Sequence, residues 1–383
     1  MGGAALEAVW LADEGGRAST MARCTVDTTI VRHEVEGFKF PLGVYPVEEM
    51  KPKAGYTLDF EPADGGDESG DWEEWPDRYV FDAVLSAERV PGLVRLLLGM
   101  MPAKVYPILD ILGHDAFREI DPYVSWELVG TDRIMEAIRQ VPGFFYEDGL
   151  CGFGAMSEEP FLYFFVDEHK IVTIRAESVL REKIERMMSV FGLSQTEEAA
   201  GVDSAAHEHR SVLVTPKDDP ISMSFDEIVE QLRDDWRLVL NVDPETNVDD
   251  DGKELGRTTW WCRVRVAVGE ASGESEPGEK MPALSTGEIT EAAAAEDEAE
   301  GEWATRYAEV VVTATCLREA EEMAAEAAEK LAGMEDSEAP PPFVVFADRM
   351  SEDQAAEYLG RSGKKKVKGA EEGGSVLSVK WVR

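Results

Sequence analysis

The alternation of apolar and polar positions predicts two runs of elements in the same order. In the first, the apolar stretches Phe161–Val166 and Ile171–Ile174 flank four polar residues, Asp167, Glu168, His169 and Lys170, which is hairpin grammar. Val179, Leu180, Ile184, Met187, Met188 and Phe191 then recur at helical spacing over Ser178–Phe191, and Gly192 stands where the chain is released. A short strand at Ser211–Val214, a helix opened by the Ser224/Glu227 capping box and a strand at Arg237–Val242 complete the run. The second run has long strands at Trp260–Val268 and Ala304–Thr315, then a helix with Leu317, Ala320, Met323, Ala324, Ala327 and Leu331 on one stripe, ended by Gly333. Phe343–Phe346, a helix over Ser351–Leu359 and a strand at Ser375–Val382 follow. The spacing thus predicts two similar β-β-α-β-α-β units, 161–242 and 258–383.

Ahead of them, Tyr79–Leu85, Val90–Met100, Lys104–Leu109, Tyr123–Val129, Thr131–Val141 and Gly143–Tyr146 read as strand, helix, strand, strand, helix, strand. By element order alone, region 79–160 is expected to be ferredoxin-like. Thr131 is placed to cap its helix, and Pro107 calls for an edge or a bulge. The fold class is α+β, with helices packed on mostly antiparallel or mixed sheets. The expected organisation is an N-terminal extension with strands and an acidic linker (1–78), the region 79–160, the unit 161–242, an acidic turn or linker (243–257), and the unit 258–383 with an acidic insertion at 269–302. The insertion carries eleven acidic residues over Gly269–Glu302 and is expected to be a solvated excursion between paired strands.

Charge narrows the choice of partners. With 78 acidic and 38 basic residues the formal charge is −40, which repels polyphosphate backbones and favours a basic protein partner over nucleic acid. No stretch approaches eighteen apolar residues and the first twenty residues have no basic n-region, so no membrane helix and a cytoplasmic location are expected, with Met1 and Met21 both available as the start. Cys24, Cys151, Cys262 and Cys316 show no C-x-x-C spacing, and Cys262 and Cys316 read as small buried hydrophobes.

Candidate chemistry is sparse. His207-Glu208-His209 is the densest imidazole pair, but it reads as an exposed linker with no third ligand fixed by spacing. Asn247, Asp249 and Asp251 followed by Gly252 match the first half of a calcium loop, yet Thr258 stands where a bidentate Glu is needed and Glu254 where an apolar residue is usual. Cys151-Gly-Phe-Gly-Ala155 lacks the dinucleotide pattern, and P-loop, H-E-x-x-H and G-x-S-x-G motifs are absent, so no cofactor is expected. Interaction candidates are Trp72, Trp75, Trp260 and Trp261, together with the basic loop Arg361, Lys364, Lys365, Lys366 and Lys368. This evidence favours a non-catalytic interaction, regulatory or structural protein. The alternative is a metal-assisted hydrolase or transferase, its site assembled from dispersed carboxylates and histidines, with His207, His209, Asp249 and Asp251 as nominees.

Overall fold

The computed structural model describes residues 22–63, 75–216, 219, 221–269, 303–333, 339–361 and 374–382. The acidic insertion beyond Gly269, Trp72, both candidate starts and Lys364, Lys365, Lys366 and Lys368 fall outside them. The chain divides into two compact units, Met1–Leu112 with Ile120–Asn241, and Gly113–Glu119 with Val242–Arg383. Both are mixed α+β, and among the described residues no helix is long and apolar enough to cross a membrane.

The first unit opens on short strands β1 (Thr25–Val26), β2 (Glu34–Val35), β3 (Phe38–Lys39) and β4 (Val44–Pro46). Its main strands are β5 (Gly55–Glu61), β6 (Arg78–Val84), β7 (Lys104–Leu112), β8 (Ile120–Ser125), β9 (Val129–Gly130), β10 (Cys151–Ser157), β11 (Leu162–Val166) and β12 (Val172–Glu177). Interleaved helices are α1 (Val90–Leu98), α2 (Thr131–Gln140), α3 (Pro142–Tyr146) and α4 (Arg181–Val190), and β13 (His207–His209), β14 (Leu213–Val214), α5 (Phe225–Asp235) and β15 (Leu238–Leu240) close the unit. Nine strands form one antiparallel sheet in the order β15-β8-β7-β10-β11-β12-β6-β5, with β9 beside β7.

Period-two patterning explains the burial. Leu162, Phe164 and Val166 of β11 and Val172, Ile174 and Ala176 of β12 are buried, while the intervening residues are half-buried on the other face. Helices bring matching stripes, such as Leu93, Val94 and Leu97 of α1 and Ile228, Val229 and Leu232 of α5, each buried side chain contributing about 1.5–3 kcal/mol. Phe145 joins helix to sheet, stacking on Trp236 at 5.8 Å and meeting Phe153 at 4.7 Å.

Local expectations fared unevenly. The Ser224/Glu227 capping box forms, and Gly192 takes φ +73° after α4. Thr131 caps nothing: Gly130 is the N-cap, and the Thr131 hydroxyl donates to the Pro102 carbonyl at 2.6 Å. Gly143–Tyr146 is not a strand, because Pro142 starts the short helix α3 with its rings buried, and the strand forms instead at β10. Pro107 lies opposite Ala155 of β10, and on its other side falls in the gap between the β9 and β8 ladders, which begin at Lys104–Val105 and Ile108.

The ferredoxin-like expectation is corrected by the strand order. In this sheet β7 lies between β8 and β10, and β6 lies between β12 and β5, four strands away from β7. The repeat is corrected too. β11 and β12 are interior strands of the large sheet, β14 pairs with β1 elsewhere, and β15 is at the sheet's far edge.

Among the described residues the second unit instead gathers its strands, β16 (Thr258–Gly269), β17 (Trp303–Ala314), β18 (Phe343–Met350) and β19 (Ser375–Trp381), into one antiparallel sheet ordered β18-β16-β17-β19. Trp260, Cys262, Val264 and Val266 are its buried stripe, matched by Ala320, Ala324 and Ala328 of α6 (Leu317–Ala332). The last helix is α7 (Glu352–Arg361). Within this unit Arg349 is buried, its Nε within 3.0 Å of both Asp115 carboxylate oxygens and its Nη1 on the Asn247 Oδ1 and the Val248 carbonyl, between the rings of Phe117 and Trp260.

Candidate metal centre

Three histidines converge in the first unit. His207 and His209 lie on β13, which pairs with β4 in the register His207 to Pro46, Glu208 to Tyr45 and His209 to Val44. In an extended strand residues two apart share a face, so the ladder aims both imidazoles the same way. Glu208 takes the opposite face, where the Tyr45 hydroxyl donates to its carboxylate at 2.5 Å and is pushed above the usual phenol range by that bond. The segment is therefore a strand, not a linker.

His169 supplies the third ring from the turn between β11 and β12. Asp167 shapes that turn: its N–H donates to the Ile171 carbonyl (3.0 Å), its carbonyl accepts from Lys170 N–H (3.0 Å), and its Oδ1 accepts from Ile171 N–H (2.7 Å). Lys170 closes the turn at φ +66°, the left-handed conformation that a three-residue hairpin loop ordinarily gives to glycine. The three ring centroids lie 4.8, 4.9 and 4.9 Å apart, and one nitrogen from each ring falls within 4.8 Å of the others.

Hydrogen bonds decide the tautomers. A carbonyl oxygen only accepts, so the contacts of His207 Nδ1 with the Ala205 carbonyl (2.8 Å) and of His209 Nδ1 with the Gly149 carbonyl (2.8 Å) place the protons on Nδ1. His169 Nδ1 faces the carboxylates of Asp167 (3.2 Å) and Glu168 (3.4 Å) and donates there. With all three rings neutral, every Nε2 atom is then left as a lone pair. Those of His169 and His207 are 3.0 Å apart, close to the roughly 3.3 Å that separates two imidazole nitrogens on a tetrahedral zinc ion. Two lone pairs at that distance repel unless a proton or a cation stands between them.

Titration follows the same geometry. Burial pushes His169 down, but the Asp167 hydrogen bond and charge, with Glu168 and Asp203 behind them, outweigh it and raise this imidazole above its ordinary range. Burial lowers His209, the Gly149 hydrogen bond opposing and the charges of His169 and His207 adding to the depression. Burial, with the charges of Glu168 and Asp121, raises Asp110 on β7 to about 7, so a carboxyl that exchanges protons at neutral pH stands within the field of the turn. His169 also lines a cleft walled by Phe38, Phe40, Val84, Leu85 and Val202.

The supporting structure converges on the segment from Glu147 to Cys151. Glu147 takes a fork from Arg32 (2.7 and 2.9 Å) and the Leu42 N–H (3.0 Å). Asp148, fully buried, accepts from Ser211 Oγ (2.8 Å), Val212 N–H (2.9 Å) and Leu150 N–H (3.0 Å); burial still raises its pKa, against those bonds and the Lys170 charge. Gly149 crosses Gly43 so closely that a Cβ on it would lie 2.2 Å from the Gly43 carbonyl oxygen. Lys170 Nζ donates to the Cys151 carbonyl at 2.6 Å.

The remaining sequence candidates lie elsewhere. Asn247 is spent on structure, its Nδ2 donating to the Gly256 carbonyl (2.6 Å) and to Thr258 Oγ1 (3.0 Å) while its Oδ1 accepts from Arg349. Asp249 Oδ1 accepts from the N–H groups of Asp251 (3.2 Å) and Lys253 (2.9 Å) in a turn where Gly252 takes φ +77°. Trp75 folds onto Phe161 (5.3 Å) with Arg78 over its ring (5.1 Å). Trp260 is core and Trp261 is half-buried on the opposite face under Arg263. Arg361 ends α7. Cys151 and Cys262 are buried, and burial pushes the Cys151 thiol up to about 12 and the Cys262 thiol higher still, which makes both inert at neutral pH.

The expectation of a purely non-catalytic surface is corrected by this cluster. Three oriented imidazoles, with Asp167 and Glu168 grouped around His169, form a donor set suited to a metal ion, which favours the metal-assisted alternative. The sequence concealed it because His169 is separated from His207 by 38 residues and reads as one of four polar turn residues. No family model, curated protein or solved structure matches the chain.

Proposed function

We propose that His169, His207 and His209 bind a divalent transition ion, zinc first, and that the protein is a metal-assisted hydrolase. The observation carrying this reading is that each ring's Nδ1–H is already held by a carbonyl or carboxylate, leaving Nε2 free for a metal on three rings that each bring a nitrogen within 4.8 Å of the others, with His169 Nε2 and His207 Nε2 3.0 Å apart. Three protein ligands leave a position open for water or substrate, the arrangement of catalytic rather than structural zinc. The chemistry such an ion supplies is polarisation of a carbonyl or phosphoryl oxygen and activation of water at neutral pH. Asp167, Glu168 and Asp203, whose charges act on His169, offset the charge of the ion. The formal charge of −40 disfavours polyanionic substrates, so a neutral or cationic ester or amide fits better than a phosphodiester polymer.

The full chain, stripped with chelator and titrated with zinc against a chromogenic competitor, should bind one equivalent with a dissociation constant below about 1 μM, equivalent to about 8 kcal/mol. Zinc at about 100 times that constant should add about 2.7 kcal/mol of stability, raising the melting temperature of the transition that contains the site. His207→Ala and His209→Ala should lose both effects, along with zinc-dependent turnover of a panel of small esters and amides. Binding that is weak, or equal in wild type and both variants, refutes the metal centre; tight binding with no turnover across the panel refutes the hydrolase.

A further inference from the structure

Lys170 joins two features that disfavour each other in an ordinary turn. Its backbone sits at φ +66°, where glycine or asparagine is the undemanding choice, and its ammonium-bearing side chain is buried, with 2% of its surface exposed. Glycine would satisfy the backbone, and a surface lysine would keep its charge in water. What this side chain adds is a bond across the sheet: Nζ donates to the Cys151 carbonyl at 2.6 Å, and the Asp148 carboxylate lies in its field. The same short segment accepts His209 Nδ1–H at the Gly149 carbonyl, and through Asp148 it holds Ser211 and Val212 just beyond β13. One stretch of backbone, Asp148–Cys151, thereby fixes the strand bearing two of the histidines and the turn bearing the third.

We infer that Lys170 is a positioning residue for the metal centre, locking the turn so that His169 Nε2 stays in register with His207 and His209; this rests on reading the three histidines as metal ligands. The two Asp167 backbone bonds close the turn on itself, and Lys170 ties it to β10, one strand removed from β12. Without that tie the turn can rock while remaining a turn, and the 3.0 Å contact between His169 and His207 is what rocking would open.

Lys170→Gly isolates the tie, because glycine accepts φ +66° without strain and retains the turn's backbone bonds. Zinc affinity of the variant, by chelator competition in the full chain, should fall about 10- to 100-fold, the usual effect of losing a group that orients a ligand. Cobalt substitution adds a readout that a merely structural role would not move: the visible bands should shift from a four-coordinate to a higher-coordinate pattern as His169 leaves. Lys170→Met keeps the stem without the ammonium, and it should show the same loss if glycine proves too flexible to fold. Wild-type affinity and cobalt spectrum in either folded variant overturn the inference. A wild-type chain that binds no zinc removes the metal reading beneath it, whereas tight wild-type binding with unchanged Lys170 variants removes only the positioning role.

Discussion

Gly149→Ala tests how far the centre depends on backbone approach. A Cβ there would lie 2.2 Å from the Gly43 carbonyl oxygen, 2.7 Å from its carbonyl carbon and 2.9 Å from Val44 Cγ2, and the first two of these atoms belong to backbone. Real Cβ contacts essentially never fall below 3.0 Å, so the crossing segments must separate by about 0.8 Å at least. The Gly149 carbonyl moves with its residue. Its 2.8 Å bond from His209 Nδ1, lengthened by the full amount where the shift runs along it, reaches about 3.6 Å and ceases to be a hydrogen bond. Overpacking should cost about 1–3 kcal/mol of stability. Freeing the His209 ring should cost a further 10- to 100-fold in zinc affinity, about 1.4–2.8 kcal/mol. Gly43→Ala should behave alike, since a Cβ there meets Gly149 N at 2.1 Å. Gly360→Ala on α7, with nothing within 4 Å, is the control and should leave zinc binding unchanged. Chelator competition and thermal melting on the same samples separate the two effects. A Gly149→Ala protein that is destabilised yet binds zinc within about threefold of wild type would sink the argument that the Gly149 carbonyl orients His209.

Zinc binding should be proton-coupled, with a sign set by His169. This imidazole's folded pKa is raised, so in the metal-free chain its proton adds stability below the unfolded value, and that stability is lost as pH rises through the folded one. Zinc competes with that proton: affinity should keep climbing as pH rises past about 6.5, the ordinary imidazole value, and Asp167→Asn, which removes the first group favouring the proton, should shift the rise to lower pH. A pH-independent affinity over that window contradicts the ligand assignment. In the second unit, Arg349→Met takes the nearer guanidinium from buried Asp115, leaving Arg118 at 3.7 Å, and should cost about 3 kcal/mol by denaturant unfolding, with zinc affinity unchanged; a loss under about 1 kcal/mol would show that the clasp is not holding that unit.

What could be read from the chain divides along the line between local and non-local information. Alternation in Leu162–Val166 and Val172–Glu177 reports which face of a strand is buried, and Ser224 with Glu227 reports where a helix starts, because each is decided within a few residues. Strand partners are decided across the chain. The predicted order of elements in 161–242 matches that in 258–383, yet the first set contributes strands to three sheets and the second closes on itself in one, and nothing in either pattern of apolar residues distinguishes those outcomes. His207-Glu208-His209 carries no β-branched residue and becomes a strand only through its pairing with β4, so the rule that places both rings on one face could not be applied until the partner was known.

The turn at Lys170 shows the converse case, in which a local rule and the observed conformation disagree. Hairpin chemistry assigns glycine or asparagine to a left-handed third loop position, and a sequence reading has no reason to bury a lysine there. Local sequence and tertiary structure agree through most of β11 and β12 and part at this residue, adjacent to His169. Such conflicts persist where the surrounding structure over-determines them, and they cluster at sites whose geometry matters more than local stability. A buried ammonium and the His209 imidazole share one backbone segment here, through the Cys151 and Gly149 carbonyls, while Asp167 and the Ala205 carbonyl anchor the other two rings. The strain at Lys170 is thus independent of the histidine count as evidence for a built centre, and it singles out His169, the ring that spacing could not supply.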